Sequence, residues 1–164
     1  MHNTRKLAFS SVISAFSLLS IWASSVLQTG TLALLALSAC FSAMVFYDCG
    51  TKYGFMHYFA VSLLAFLLVP KGAKLVAYIM FLGYYPYIRQ KIKHISLRCI
   101  IFTIAFVLSF FLFKNLFLPG FELKAYHYIL GILGGELLFF IFDYAIMCFG
   151  IFYKERFSFI KNNF

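Results

Sequence analysis

Charged residues are scarce in this sequence. Only 12% of the 164 residues are charged, and just five side chains are acidic, whereas soluble domains usually carry about one quarter charged residues. The chain is also 63% hydrophobic, with a mean hydropathy of +0.92. This balance excludes an ordinary soluble domain, and we predict an integral membrane protein.

Motifs for catalysis and metal binding are missing as well. The sequence has no HExxH motif, no Cys/His cluster and no acidic pair with metal-ligand spacing, which argues against a zinc or two-metal hydrolase. Cys40, Cys49, Cys99 and Cys148 show no CxxC spacing, so we expect packing residues and no disulfide or zinc framework. Without a Gly-rich phosphate loop, the chain is not expected to hydrolyse ATP. We expect no enzyme activity and no cofactor.

Long apolar runs dominate what is present. Strands of an outer-membrane barrel would alternate apolar and polar residues, whereas these runs are continuously apolar and long enough to cross a bilayer as helices. The sequence therefore predicts one all-α transmembrane domain over 1–164, a bundle of six helices with spans at about 7–27, 31–47, 53–69, 74–87, 99–117 and 126–153.

The distribution of basic residues predicts the orientation. With the N-terminus inside, ten Lys and Arg lie on the cytoplasmic side and four on the other, and short loops rich in these residues stay in the cytoplasm. We therefore expect both termini to be cytoplasmic in a multi-pass plasma-membrane protein. Attraction to anionic lipid explains the net charge of +9 without a nucleic acid.

Two acidic residues lie inside the last apolar run, at Glu136 and Asp143. Seven residues place them on nearly the same helix face, about 10 Å apart along the axis. Ionisable groups at this depth usually face the bundle interior and mark function, although a structural partner is the alternative. For Asp143 we expect an internal ion pair, with Arg98 the preferred partner among Arg89, Arg98 and Lys154. No basic residue is an obvious partner for Glu136, which we expect to contact a ligand.

Three neighbours of Glu136 complete the predicted binding site. Gly135 would allow a ligand or another helix to approach the backbone closely. His127 and Tyr128 begin the same span on its outer side. The aromatic fraction of 21% exceeds what an interfacial belt needs, so we expect some of the rings to line a pocket.

Small residues form a stripe along the first span, at Ala8, Ser11 and Ala15. In membranes such stripes let helices pack closely, because lipid provides no hydrophobic drive for association. The stripe predicts either a partner helix or packing within the bundle, and the sequence does not choose between them.

A family resemblance is carried by the start "TRKLAFSSVISAF", the six short spans, the cytoplasmic termini and the segment "FLGYYPYIRQKI". In these features the chain resembles the substrate-binding S components of energy-coupling factor (ECF) transporters, in particular S-component-like membrane proteins of Firmicutes. The resemblance extends over most of the chain. It implies a carrier for a vitamin or related micronutrient, with a pocket open to the outside. It also implies that Ala8, Ser11 and Ala15 dock on a transmembrane coupling subunit that two cytoplasmic ATPases drive.

One loop departs from the pattern of that family. The connection between the first two spans, which usually helps to cap the pocket, is reduced to about 28–31, so "NLFLPGFELKAYH" would have to supply the lid.

We expect an aromatic or cationic ligand in an aromatic-lined pocket that contains Glu136. The alternatives are a six-span scaffold in a cell-shape or secretion complex and a lipid-modifying enzyme with Glu136 or Asp143 as general base. The enzyme is disfavoured because no cluster of catalytic side chains occurs at one depth.

Overall fold

The computed structural model describes the backbone of residues 2–27, 30–69, 73–92, 94–117 and 125–162, and the side chains within 4–27, 30–69, 75–92, 94–108, 133–153 and 155–156. Every regular element in these ranges is helical, which confirms the all-α prediction. The helices are α1 (His2–Val26), α2 (Thr31–Asp48), α3 (Thr51–Leu68), α4 (Ala73–Ala77), a π-helical turn (Tyr78–Leu82), α5 (Tyr85–Lys91), α6 (Ile95–Phe117) and α7 (Ala125–Asn162).

Four helices in the described part of the chain are long and apolar enough to cross a membrane. They are Thr4–Val26, Thr31–Asp48, Thr51–Leu68 and Leu133–Tyr153. A shorter apolar helical stretch, Ile95–Leu108, lies within α6. Their length and composition assign the chain to the helical membrane proteins. Helix α7 has 38 residues and is therefore about 57 Å long, so it must tilt strongly or project beyond the bilayer.

The predicted fourth span, about 74–87, is not one regular helix. Helix α4 passes into the π-helical turn, which the Gly83 N–H closes on the Tyr78 carbonyl at 2.9 Å. Pro86 then lies in the first turn of α5, where its missing N–H costs no hydrogen bond. The Gly83 backbone also lies against the Tyr58 ring, since a Cβ atom there would come within 2.6 Å of it. Gly83 and Pro86 thus divide this segment.

Helices α1, α2 and α3 pack on one another, and α6 packs on α7. Helix α2 also contacts α7 directly, and the segment from α4 to α5 contacts both groups. Ile21, Val61 and Tyr78 centre one core cluster. A second cluster joins the π-helical turn and α5 to α6 and α7 through Phe81, Tyr85, Phe102, Phe139 and Ile146.

Helix α1 has two distinct faces. Its serines Ser10, Ser17 and Ser24 are buried against the bundle, and they recur every seven residues, which places them on one side of a helix. The predicted stripe of Ala8, Ser11 and Ala15 is exposed on another side. Packing within the bundle therefore uses the serine face and leaves the stripe uncovered.

Candidate functional site

A cavity of about 590 Å³ lies between α2, the segment from α4 to the π-helical turn, α6 and α7. Ten aliphatic residues and five phenylalanines line it, and no polar side chain of the described residues does so. The phenylalanines are Phe81, Phe102, Phe106, Phe139 and Phe142. The cavity can accommodate an apolar or aromatic group of the size of a small organic molecule.

Contacts between the aromatic rings give the cavity wall its shape. Phe81 meets Phe102 edge to face with ring centroids 4.5 Å apart, and Phe102 stacks on Phe139 at 4.7 Å. Such pairs contribute about 0.5–1.5 kcal/mol beyond the area that they bury. Gly135 lies against the Phe106 ring, where a Cβ atom would be only 3.0–3.2 Å from ring carbons. The close approach expected at Gly135 is thus made by a cavity-lining ring of the protein itself.

Glu136 lies beside this cavity but is not one of its lining residues. Its half-buried side chain accepts a hydrogen bond from the Cys99 thiol at 2.9 Å and another from the Thr103 hydroxyl. No basic side chain in the described ranges forms an ion pair with it. In this structure the carboxylate links α7 to α6 through neutral donors.

The structure brings Asp143 and Arg98 together, and Arg89, another of the candidate partners, and Tyr85 bind the same carboxylate. One Asp143 carboxylate oxygen accepts hydrogen bonds from Tyr85, Arg89 and Arg98. Arg89 also donates to the Asp143 backbone carbonyl. Only 6% of Asp143 and 7% of Arg98 is exposed. We call Tyr85, Arg89, Arg98 and Asp143 the arginine cluster.

Tyr85 is the member of this cluster that sequence reasoning missed. It is fully buried and lies in the Gly-Tyr-Tyr-Pro segment, which an interfacial aromatic belt alone does not account for. The break in the fourth span turns α5 so that Tyr85 reaches α7. A tyrosine next to a helix break, with basic residues following, was the available signal.

A second buried polar group surrounds His57, which is 1% exposed. Its Nδ1 lies 2.8 Å from the Ser14 hydroxyl, its Nε2 lies 3.2 Å from the Ser42 hydroxyl, and Ser42 is 3.4 Å from the Tyr78 hydroxyl. These bonds join α1, α2, α3 and the π-helical turn. The arrangement satisfies the histidine inside the bundle, and among the described residues no group of three or more His, Cys, Asp or Glu could hold a metal ion.

Two predicted binding residues, His127 and Tyr128, belong to α7. Only their backbone is described, and their side chains are outside the described residues. All side chains of the expected lid, "NLFLPGFELKAYH", also lie outside the described residues, as does its backbone over 118–124.

Comparison with known proteins gives no relative from which a function could be transferred. No protein-family model matches the chain, and neither the curated proteins nor the solved structures give a significant match.

Proposed function

We propose that the chain is the substrate-binding membrane subunit of an ECF-type transporter, which captures a vitamin or related micronutrient from outside the cell. The observation that carries the proposal is the aromatic-lined cavity of about 590 Å³. Ligand pockets in proteins are typically about 300–1,000 Å³ and mostly apolar. In this proposal the plasma membrane is crossed six times, with both termini cytoplasmic and α4, the π-helical turn and α5 together forming the fourth crossing.

The cavity lining favours an aromatic over a cationic ligand. The described residues that line it have only hydrocarbon side chains, and transferring a cation into such surroundings without a partner is strongly unfavourable. Glu136 already accepts two hydrogen bonds from α6. The substrate is therefore a largely uncharged molecule with an aromatic or apolar body, whose polar groups would lie at the mouth of the cavity.

The exposed stripe of α1 supports a partner subunit. Ala8, Ser11 and Ala15 lie on the surface of the bundle, and small side chains allow a second helix to approach within close van der Waals contact. In the proposal this face docks on a transmembrane coupling subunit, and two cytoplasmic ATPases supply the energy that this chain does not generate.

The direct test is native mass spectrometry of the protein purified gently from its own host. The proposal predicts a retained small molecule together with a coupling subunit and two ATPases. Other membrane proteins without a retained molecule and without ATPases would instead favour a six-span scaffold, which could use the same exposed stripe.

A substitution on the stripe separates docking from ligand binding. Ala15→Trp adds bulk where close helix contact is proposed, so we expect it to abolish co-purification of the coupling subunit while the small molecule is retained. Ala60→Trp on the exposed side of α3 is the matched control and should keep both. Unchanged co-purification of Ala15→Trp would remove the stripe from the interface.

A further inference from the structure

The arginine cluster contains one positive charge more than its carboxylate neutralises. Arg89 and Arg98 both bind the same oxygen of Asp143, and arginine stays protonated in proteins. Two guanidinium groups therefore share one carboxylate in a largely buried position, where the side chains are 14% exposed for Arg89 and 8% for Arg98.

The other acidic side chains that the structure describes are engaged elsewhere. Asp48 accepts a hydrogen bond from Tyr153, and Glu136 is bound to Cys99 and Thr103. Glu155 is exposed and lies about 18 Å further along α7 than Asp143. Within the described residues, no second carboxylate balances the arginine cluster.

One atom of the cluster is also unsatisfied. The Nε of Arg98 is buried and has no hydrogen-bond partner among the described residues. A buried charge without full compensation costs several kcal/mol, and buried guanidinium donors are normally paired. The surplus charge and the free donor both point to an acceptor that is negatively charged and is not part of the described chain.

We propose that the arginine cluster binds a phosphate group. Guanidinium groups bind phosphate through paired, charge-assisted hydrogen bonds, and one such anion would offset the surplus charge. The partial exposure of Arg89 gives the anion its access. The phosphate comes either from the headgroup of an anionic lipid or from a soluble phosphate, because both present the same acceptor oxygens to the two arginines.

Two binding measurements on the full-length protein distinguish these sources. In the first, nanodiscs of phosphatidylcholine with and without phosphatidylglycerol are compared by lipid retention in native mass spectrometry and by melting temperature. In the second, inorganic phosphate is added to the protein in pure phosphatidylcholine, with chloride at equal ionic strength as reference. Retention of phosphatidylglycerol assigns the site to a lipid headgroup, and stabilisation by inorganic phosphate assigns it to a soluble ligand.

Arg98→Gln tests the location of the site, because it leaves Arg89 and Asp143 as a balanced pair. We expect the affinity for the anion to fall about tenfold, the loss of a little over one kcal/mol of binding free energy. Lys91→Gln removes the same charge from an exposed position in the same basic segment and should change the affinity by less than about twofold. If Arg98→Gln does not fold, Arg89→Gln makes the same test.

Asp143→Asn gives the opposite prediction. It raises the uncompensated charge of the cluster, so the anion should stabilise this variant more than the wild type. The proposal is overturned if the wild type shows no preference for either anion, if Lys91→Gln weakens binding as much as Arg98→Gln, or if Asp143→Asn gains nothing from the anion.

Discussion

At the scale of single residues, glycines decide how closely the helices of this bundle approach. Gly54 of α3 lies against the Phe46 ring of α2, so close that a Cβ atom would be only 2.2–2.7 Å from ring carbons. Phe46 is itself buried and packs edge to face on Phe55 at 5.6 Å, so it has little space to move. The contact between α2 and α3 thus requires a residue without a side chain.

Gly54→Ala should therefore destabilise the protein, although alanine favours helix formation. We expect a loss of about 1–3 kcal/mol in the free energy of unfolding, the usual range for overpacking. Gly134→Ala is the matched control, because nothing lies within 4 Å of its Cβ position, and it should be neutral or stabilising. Melting temperatures in detergent would measure both, and equal destabilisation of the two variants would contradict the packing argument.

The acidic residues show how far residue-level prediction extends. Asp143 could be matched to a basic partner because the predicted topology puts arginines on the same side of the membrane. The partners of Glu136 could not be predicted by that search, since Cys99 and Thr103 are neutral donors and many residues of these types occur in membrane helices. Which neutral side chain faces a carboxylate depends on helix rotation, which a sequence with long uniformly apolar runs does not specify.

At the scale of elements, hydrogen bonds between serines and the buried His57 tie the first three helices together. His57 on α3 binds Ser14 on α1 and Ser42 on α2. The length and apolarity of these helices were predictable from the sequence. The division of the fourth span was less predictable from the sequence. Gly83 and Pro86 indicate a break in the helix, but they do not determine that a π-helical turn precedes it.

His57→Leu tests the contribution of this serine network. The substitution leaves the Ser14 and Ser42 hydroxyls without their histidine partner, so we expect a loss of about 1–3 kcal/mol in the free energy of unfolding. His94→Leu, at an exposed position between α5 and α6, should have little effect. Urea or thermal unfolding of both variants measures the difference, and a His57 variant as stable as the wild type would show that the network does not stabilise the bundle.

At the scale of the whole molecule, an apolar cavity lies between α2, the divided fourth span, α6 and α7, and a face of small residues on α1 stays uncovered. The composition predicted a helical membrane protein with more aromatic rings than an interfacial belt needs. Five phenylalanine rings line the cavity. Its position could not be predicted, because it depends on how α6 and α7 pack against α2 and the divided fourth span.

The measurement that tests the proposed substrate-binding function most directly is the affinity of the co-purified small molecule for a variant with a filled cavity. Ala36→Leu adds three carbon atoms at a lining position, so we predict at least about tenfold weaker binding than in the wild type. Ala60→Leu, which adds the same atoms on the exposed side of α3, should bind as the wild type does. Equal affinity of Ala36→Leu and Ala60→Leu would contradict a ligand site in this cavity.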